Sequence, residues 1–290
     1  MSRGEQRRTD SSERNRSPKP RRTFASSTRE RPAETPSHSR PDLISQSQSW
    51  AELIPENQWS IYRQAFAAVR ATGRPFLLGG GFGLAIYMDH WRNTKDIDFY
   101  ILPEDRDYFV SALEKAGFAD YYKKHPYDRG WIYRSHRQGV IVDVIWSMAN
   151  RHASTDLSWF DRAKTVSVRD EPLLVLPAEE LLWCKLFVLQ RDHCDWPDLM
   201  NLLYAVGPSL DWGHVIKRIG ADFPLLKALV TLFDWVCPER AVQLPARVRR
   251  QFQLVRPAGH PVPDTRQRAR LLDSRAWFAG FLSKNVPLEV

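Results

Sequence analysis

The chain has 290 residues, with 42 Lys and Arg against 34 Asp and Glu, 43% hydrophobic content and 3 cysteines. That length suits one large or two modest domains, and 11 Trp and 14 Phe supply enough core material to exclude fibrous and wholly disordered classes. Cys184, Cys194 and Cys237 are too few for a disulfide framework and lack the spacing of a structural zinc site, so a reducing, cytoplasmic setting is expected.

The charge is uneven along the chain. Residues 1–40 carry 11 Lys and Arg against 5 Asp and Glu, whereas the other 250 carry 31 against 29. The excess therefore says little about what the remainder binds. Residues 1–47 are nearly all Arg, Ser, Thr, Pro, Glu and Gln, with Phe24 the only aromatic, and are expected to stay disordered. Such a tail is either an electrostatic arm for nucleic acid or a solvated extension. Its acids and its lack of interleaved aromatics favour the extension. It has no apolar h-region, so a secretory signal is not expected, and Glu5, Asp10 and Glu13 break a transit-peptide pattern. The most apolar runs, 181–189 and 223–236, are short and interrupted by Lys185, Lys227 and Asp234, so no membrane span is expected.

From Trp50 the pattern becomes globular. Apolar Ile61, Phe66 and Val69 predict a helix over 57–72, stopped by Gly73. A short strand over 75–78 runs into Gly79-Gly80-Gly81, and a helix over 82–91 follows directly. A strand over 96–102 and a helix over 104–116 come next, then strands near Tyr121 and over 131–134. The β-branched run GVIVDVIW over 139–146 reads as a central strand covered on both faces. Beyond about residue 170 the pattern turns helical. Pro177 opens a helix with Glu179 and Glu180 in its first turn, expected to reach about His193. Further helices are expected over 197–205, 212–219, 224–236 and 245–254. The organisation is then a tail (1–47), an α/β (α+β) domain with a mixed sheet (48–170) and a helical C-terminal domain (171–290).

Three features carry chemistry. Glycines between a strand and a helix let an anion approach the backbone N–H groups of the helix start, although the same glycines can simply make a tight turn. Asp96 and Asp98, two apart on a strand, project from one face with Cα atoms ~6–7 Å apart. They can converge on a hard cation such as Mg²⁺, although a lone DxD also occurs in solvated turns. Asp143 interrupts an apolar strand, where a carboxylate must be paired, hydrogen-bonded or metal-bound unless the strand is an edge facing water. Arg92 and Lys95 beside the carboxylates either neutralise phosphate or pair with the aspartates. Lys185 sits in an almost wholly apolar helix, either as a buried cation or with a snorkelling stem. Asp195 and Asp198 are expected to stabilise a helix start or to pair with Arg191. The histidines show no zinc spacing.

Taken together, Gly79-Gly80-Gly81, then Asp96-Ile97-Asp98, then Asp143 resemble the nucleotidyltransferase superfamily of polymerase-beta-like fold. The string Arg92-Asn93-Thr94-Lys95-Asp96-Ile97-Asp98 looks most like abortive-infection-toxin-type and related bacterial members. Leu176-Pro177-Ala178-Glu179, Lys185 and the segment 191–199 are similar to their C-terminal helical motif, so the resemblance covers about residues 56–206. Glycine stands where many members carry Ser, so phosphate contact would rest on backbone N–H groups. The resemblance implies transfer of a nucleoside monophosphate from an NTP to a hydroxyl of an RNA end, a protein or a small molecule, with pyrophosphate released. It also implies two Mg²⁺ ions on Asp96, Asp98 and Asp143, and a nucleotide site from Gly79, Gly80, Gly81, Arg92, Thr94, Lys95 and Lys185. Two alternatives are a non-catalytic, antitoxin-like partner protein, which retention of three aspartates disfavours, and a DxD glycosyltransferase, for which the segment before Asp96 is too short.

Overall fold

A computed structural model describes residues 49–92, 94–254 and 265–272; the expected tail over 1–47 lies outside them. The elements begin with α1 (Glu56–Arg70), β1 (Leu77–Leu78), α2 (Gly80–Met88), β2 (Asp96–Tyr100) and α3 (Arg106–Lys115). Next come β3 (Ala119–Asp120), β4 (Ile132–Arg137), β5 (Val140–Ile145), α4 (Leu157–Asp161), β6 (Lys164–Val168) and β7 (Glu171–Val175). The helices that follow are α5 (Ala178–Leu186), α6 (Trp196–Val206), α7 (Trp212–Ile219), α8 (Phe223–Val236), α9 (Pro238–Ala241), α10 (Ala246–Gln251) and α11 (Thr265–Leu271).

The strands form one mixed sheet in the order β3-β4-β5-β2-β1-β7-β6. β1 runs parallel to β7 and β2 parallel to β5, while the other neighbours are antiparallel. Side chains alternate across a strand, and the two faces feed two cores. Ile97, Phe99, Val142 and Val144 enter an apolar cluster with Tyr62, Phe66 and Val69 of α1 and Phe109 and Leu113 of α3. The buried residues of α1 recur at helical spacing, which is why this helix lies against the sheet. On the opposite face Tyr100, Ile132 and Ile145 join a second cluster with Leu181 of α5, Leu199 of α6, Trp212 of α7 and Leu226 of α8. Asp96, Asp98, Arg134 and Asp143 occupy alternate positions of this second face, in phase with Tyr100, Ile132 and Ile145.

The mixed α/β fold is the expected one, and β5 is a central strand, between β4 and β2. The sheet, however, runs past residue 170. β6 and β7 form a hairpin whose register pairs Val168 with Glu171 across a two-residue loop, so the boundary expected at 170 falls inside a turn. Both loop residues, Arg169 and Asp170, have positive φ (45° and 65°), the backbone of a tight hairpin that usually advertises itself with Asn-Gly or Asp-Gly. Without glycine the turn is hard to read, and Pro172 further disguises the strand. Helix α5 ends at Leu186 rather than near His193, because the polar run after it turns back through a Leu189–Cys194 bridge. The strand near Tyr121 is the short β3, and Tyr121–Lys123 is a 3-10 turn. Among the described residues no helix is long and apolar enough to cross a membrane, and the three cysteines are free thiols.

Candidate active site

The glycine turn and the aspartate strand occupy the same small space. The Gly79 N–H donates to the Asp98 carbonyl (3.0 Å), and the Gly83 N–H closes back on the Gly79 carbonyl (2.7 Å). A Cβ on Gly79 would stand 2.4 Å from Tyr100 Cε2. One on Gly80, where φ is +55°, would stand 1.7 Å from Asp98 Oδ2. Only glycine accommodates both the left-handed backbone and this approach. Helix α2 then starts at the turn, so its first N–H groups open beside the aspartates.

Asp96 and Asp98 share one face of β2, and Asp98 is the direct register partner of Asp143 on β5. Adjacent strands lie ~4.8 Å apart, so the second and third carboxylates are neighbours although they stand 45 positions apart in the sequence. Asp143 is only 2% exposed. The Asp98 carboxyl is pushed up to about 7, first by burial and then by the negative charges of Asp143 and Asp96, with Lys185 and Arg134 opposing. Burial also raises Asp143, against the hydrogen bond and charge of Arg134.

Arg134 is the site residue that sequence reading missed. Its Nε donates to Asp143 Oδ1 (2.8 Å) and its Nη2 to Oδ2 (2.6 Å), a two-pronged grip on a buried carboxylate. This hydrogen bonding holds the guanidinium's pKa above its ordinary value. A signal was present in the sequence. Gln138-Gly139 closes the β4–β5 hairpin, pairing Arg137 with Val140, and counting back sets Arg134 opposite Asp143.

Thr94 ties the loop before β2 to α1. Its carbonyl accepts from Gln58 Nε2 (2.6 Å) and from the Tyr62 hydroxyl (3.2 Å), while its Oγ1 accepts from the Asp96 N–H (3.3 Å). Its side chain faces Gly81, whose would-be Cβ lies 3.4 Å from Thr94 Cγ2. The structure thus brings together Gly79, Gly80, Gly81, Thr94, Asp96, Asp98 and Asp143.

The basic residues expected at the nucleotide sit differently. The Lys185 ammonium is buried and donates to Asp195 Oδ2 (2.8 Å) and Asp198 Oδ2 (3.0 Å). Burial acts to lower its pKa, but Asp198 and Asp195 outweigh it and the net direction is up. Arg92, with a side chain 61% exposed, reaches Asp198 Oδ2 at 3.3 Å rather than Asp96 or Asp98. Lys95 is exposed, and its carbonyl accepts from the Ile141 N–H (2.9 Å). Asp195 and Asp198 therefore hold Lys185, whereas Arg191 pairs with its neighbour Asp192.

Among the described residues no group of three or more Asp, Glu, His or Cys is arranged to hold a metal ion. At Asp143 both oxygens accept from Arg134. The chemistry of Asp96 and Asp98 still fits a hard divalent cation: two carboxylates on one strand face, with burial and then the neighbouring negative charges raising the Asp98 carboxyl.

Residues 46–232, more than half of the chain, match the protein family described as "Uncharacterised nucleotidyltransferase". No curated protein matches the chain significantly. Among solved structures, the antibiotic-resistance factor ANT(2'')-Ia is similar at 15% identity and TM-score 0.37, over 69% of this chain and 96% of that one. The lincosamide antibiotic adenylyltransferase LnuA, lincomycin-bound, shows 16% identity and TM-score 0.37 over 51% and 96%. A tRNA-processing enzyme in an apo form shows 14% identity and TM-score 0.33 over 81% and 68%.

Proposed function

Because the chain belongs to the uncharacterised nucleotidyltransferase family, we propose that it moves a nucleoside monophosphate from an NTP to a hydroxyl acceptor with Mg²⁺ as cofactor. The observation that carries this reading is the register of Asp98 against Asp143 on adjacent parallel strands, directly beneath the Gly80 turn. In the reaction the acceptor oxygen bonds to the α-phosphorus, and the α-phosphorus to bridging-oxygen bond breaks. Pyrophosphate leaves with that electron pair. The glycine turn and the first N–H groups of α2 bind phosphate oxygens, with no side chain in the way. Mg²⁺ held by Asp96 and Asp98 would neutralise phosphate charge and polarise the reacting centre. The acceptor's proton passes to Asp143, whose carboxylate oxygens each keep a lone pair beyond those used by Arg134. Thr94, pinned by Gln58 and Tyr62, fixes the strand that carries Asp96.

Incubating the protein with each of the four labelled NTPs, Mg²⁺ and cell extract, beside the Asp96→Ala/Asp98→Ala double variant, tests the proposal. The expected result is aspartate-dependent pyrophosphate release with the label on a new molecule, whose nature identifies the acceptor as RNA, protein or small molecule. Silence with every NTP, together with no detectable nucleotide binding, would instead favour a non-catalytic partner protein.

A further inference from the structure

Three carboxylates on neighbouring strand positions need positive charge among them. In a fold that uses metal for this, two ions ~3.5–4 Å apart supply it. Here the third carboxylate, Asp143, is already paired with a cationic side chain. Arg134 grips both of its oxygens, at 2.8 and 2.6 Å, with the fork geometry in which guanidinium matches carboxylate best.

The grip is built into the backbone. The two-residue loop at Gln138-Gly139 fixes Arg134 opposite Asp143. Tyr127 then clamps the arginine's own peptide: the Arg134 N–H donates to the Tyr127 hydroxyl (2.8 Å), which donates to the Arg134 carbonyl (3.2 Å). Asp143 itself is 2% exposed on a central strand, so no water-facing rotamer competes. A guanidinium stays charged at every pH at which the chain is folded, so this counter-charge is permanent. Among the described residues, by contrast, no side chain donates a hydrogen bond to the Asp96 or Asp98 carboxylate.

We propose that Arg134 takes the place of the second divalent cation: the site holds one ion on Asp96 and Asp98, and the guanidinium balances Asp143. This rests on the metal-dependent reading above and departs from the two-ion arrangement that the sequence resemblance implies. Arg134 acts through Asp143 and is a positioning residue. It holds the third carboxylate in a fixed orientation and supplies its counter-charge without a metal ion.

Counting ions with Mn²⁺ tests this on the full chain, by electron paramagnetic resonance with and without a non-hydrolysable NTP analogue. Two Mn²⁺ ions sharing a carboxylate couple magnetically and give a spectrum unlike that of an isolated ion. The wild type is expected to bind a single, uncoupled Mn²⁺. Arg134→Gln is expected to admit a second, coupled Mn²⁺, whereas Arg134→Lys, which keeps the charge, stays at one. If Arg134→Gln does not fold, the wild-type count and the Lys variant still decide the matter. A coupled pair in the wild type overturns the inference and leaves the metal-dependent reading intact. A folded Arg134→Gln that still binds one ion overturns the role of Arg134. No bound Mn²⁺ in the wild type, under either condition, sinks both the inference and the reading beneath it.

Discussion

At Gly80 the backbone and a reactive carboxylate contend for the same volume. A methyl group there would meet Asp98 Oδ2 at 1.7 Å and would also impose an L-residue on a φ of +55°. Gly80→Ala is expected to destabilise the protein by about 1–3 kcal/mol from backbone strain alone, and to displace Asp98. Nucleotide binding should fall further than stability, a split that denaturation and binding titrations on the same sample would reveal. Asp98 gives a second prediction. Its folded pKa of about 7 lies above the unfolded value of ~3.9. Its contribution to stability is therefore fully present below the unfolded value and is lost as pH rises through about 7. Metal-free protein should melt at lower temperature at about pH 8.5 than at about pH 5.5, and Asp98→Asn should flatten that slope. An unchanged slope in the variant would mean that another group titrates. The three aspartates and the glycines were legible in the sequence because their chemistry and spacing are local. Arg134 was not, because its meaning depends on a register that appears only once the hairpin is closed at Gln138-Gly139.

Between elements, the Lys185 cluster joins α5 to the start of α6. Lys185, Asp195 and Asp198 have side chains 11%, 12% and 10% exposed, and both carboxylates share the one ammonium. Arg92, just before β2, reaches the same Asp198, so the cluster also touches the segment that leads into the aspartates. Lys185→Met removes the shared cation and leaves two buried acids facing each other, a loss of about 3–5 kcal/mol for a buried pair broken from one side. Adding Asp195→Asn should restore part of that stability. A double-mutant cycle by chemical denaturation would measure the coupling, and additive losses would refute it. Helices such as α7 and α8 were readable because their apolar stripes and starts are self-contained: Asp211 caps α7 by accepting from the His214 N–H, and Pro224 sits in the first turn of α8. The Lys185 pairing was not readable, since the residues that neutralise the lysine lie beyond the end of its own helix. The β6–β7 hairpin was missed for a related reason. Its turn residues, Arg169 and Asp170, adopt positive φ without glycine, and Arg169 is held by the Ile54 carbonyl (2.9 Å) and by Glu56 (3.1 Å), more than a hundred residues away.

On the scale of the whole molecule, the question is whether the sheet and the C-terminal helices are separable. The sequence suggests so, with composition turning helical near residue 170, yet the described residues fall within one compact unit. β7 inserts between β1 and β6, and Leu78, immediately before the glycine turn, pairs with Val175. The Leu176 N–H also donates to the Leu78 carbonyl (2.9 Å). The strand that delivers Gly79 is thus braced by a strand from beyond the expected boundary. The sheet face that bears the aspartates has its apolar positions, Tyr100, Ile132 and Ile145, buried in the same cluster as α5 to α8. A chain ending at Asp170 would lose one of the two neighbours of β1, leave β6 unpaired and expose that whole apolar face to water. Burial of this kind is the main favourable term in folding, and an unpaired strand edge beside it invites association. The truncated chain is therefore expected to show no cooperative heat-absorption peak and to aggregate, where the full chain melts in a single transition. Scanning calorimetry on both would decide. A sharp transition in the shorter chain would mean that the glycine turn and its aspartates stand without β7, and that the two halves are separate domains after all.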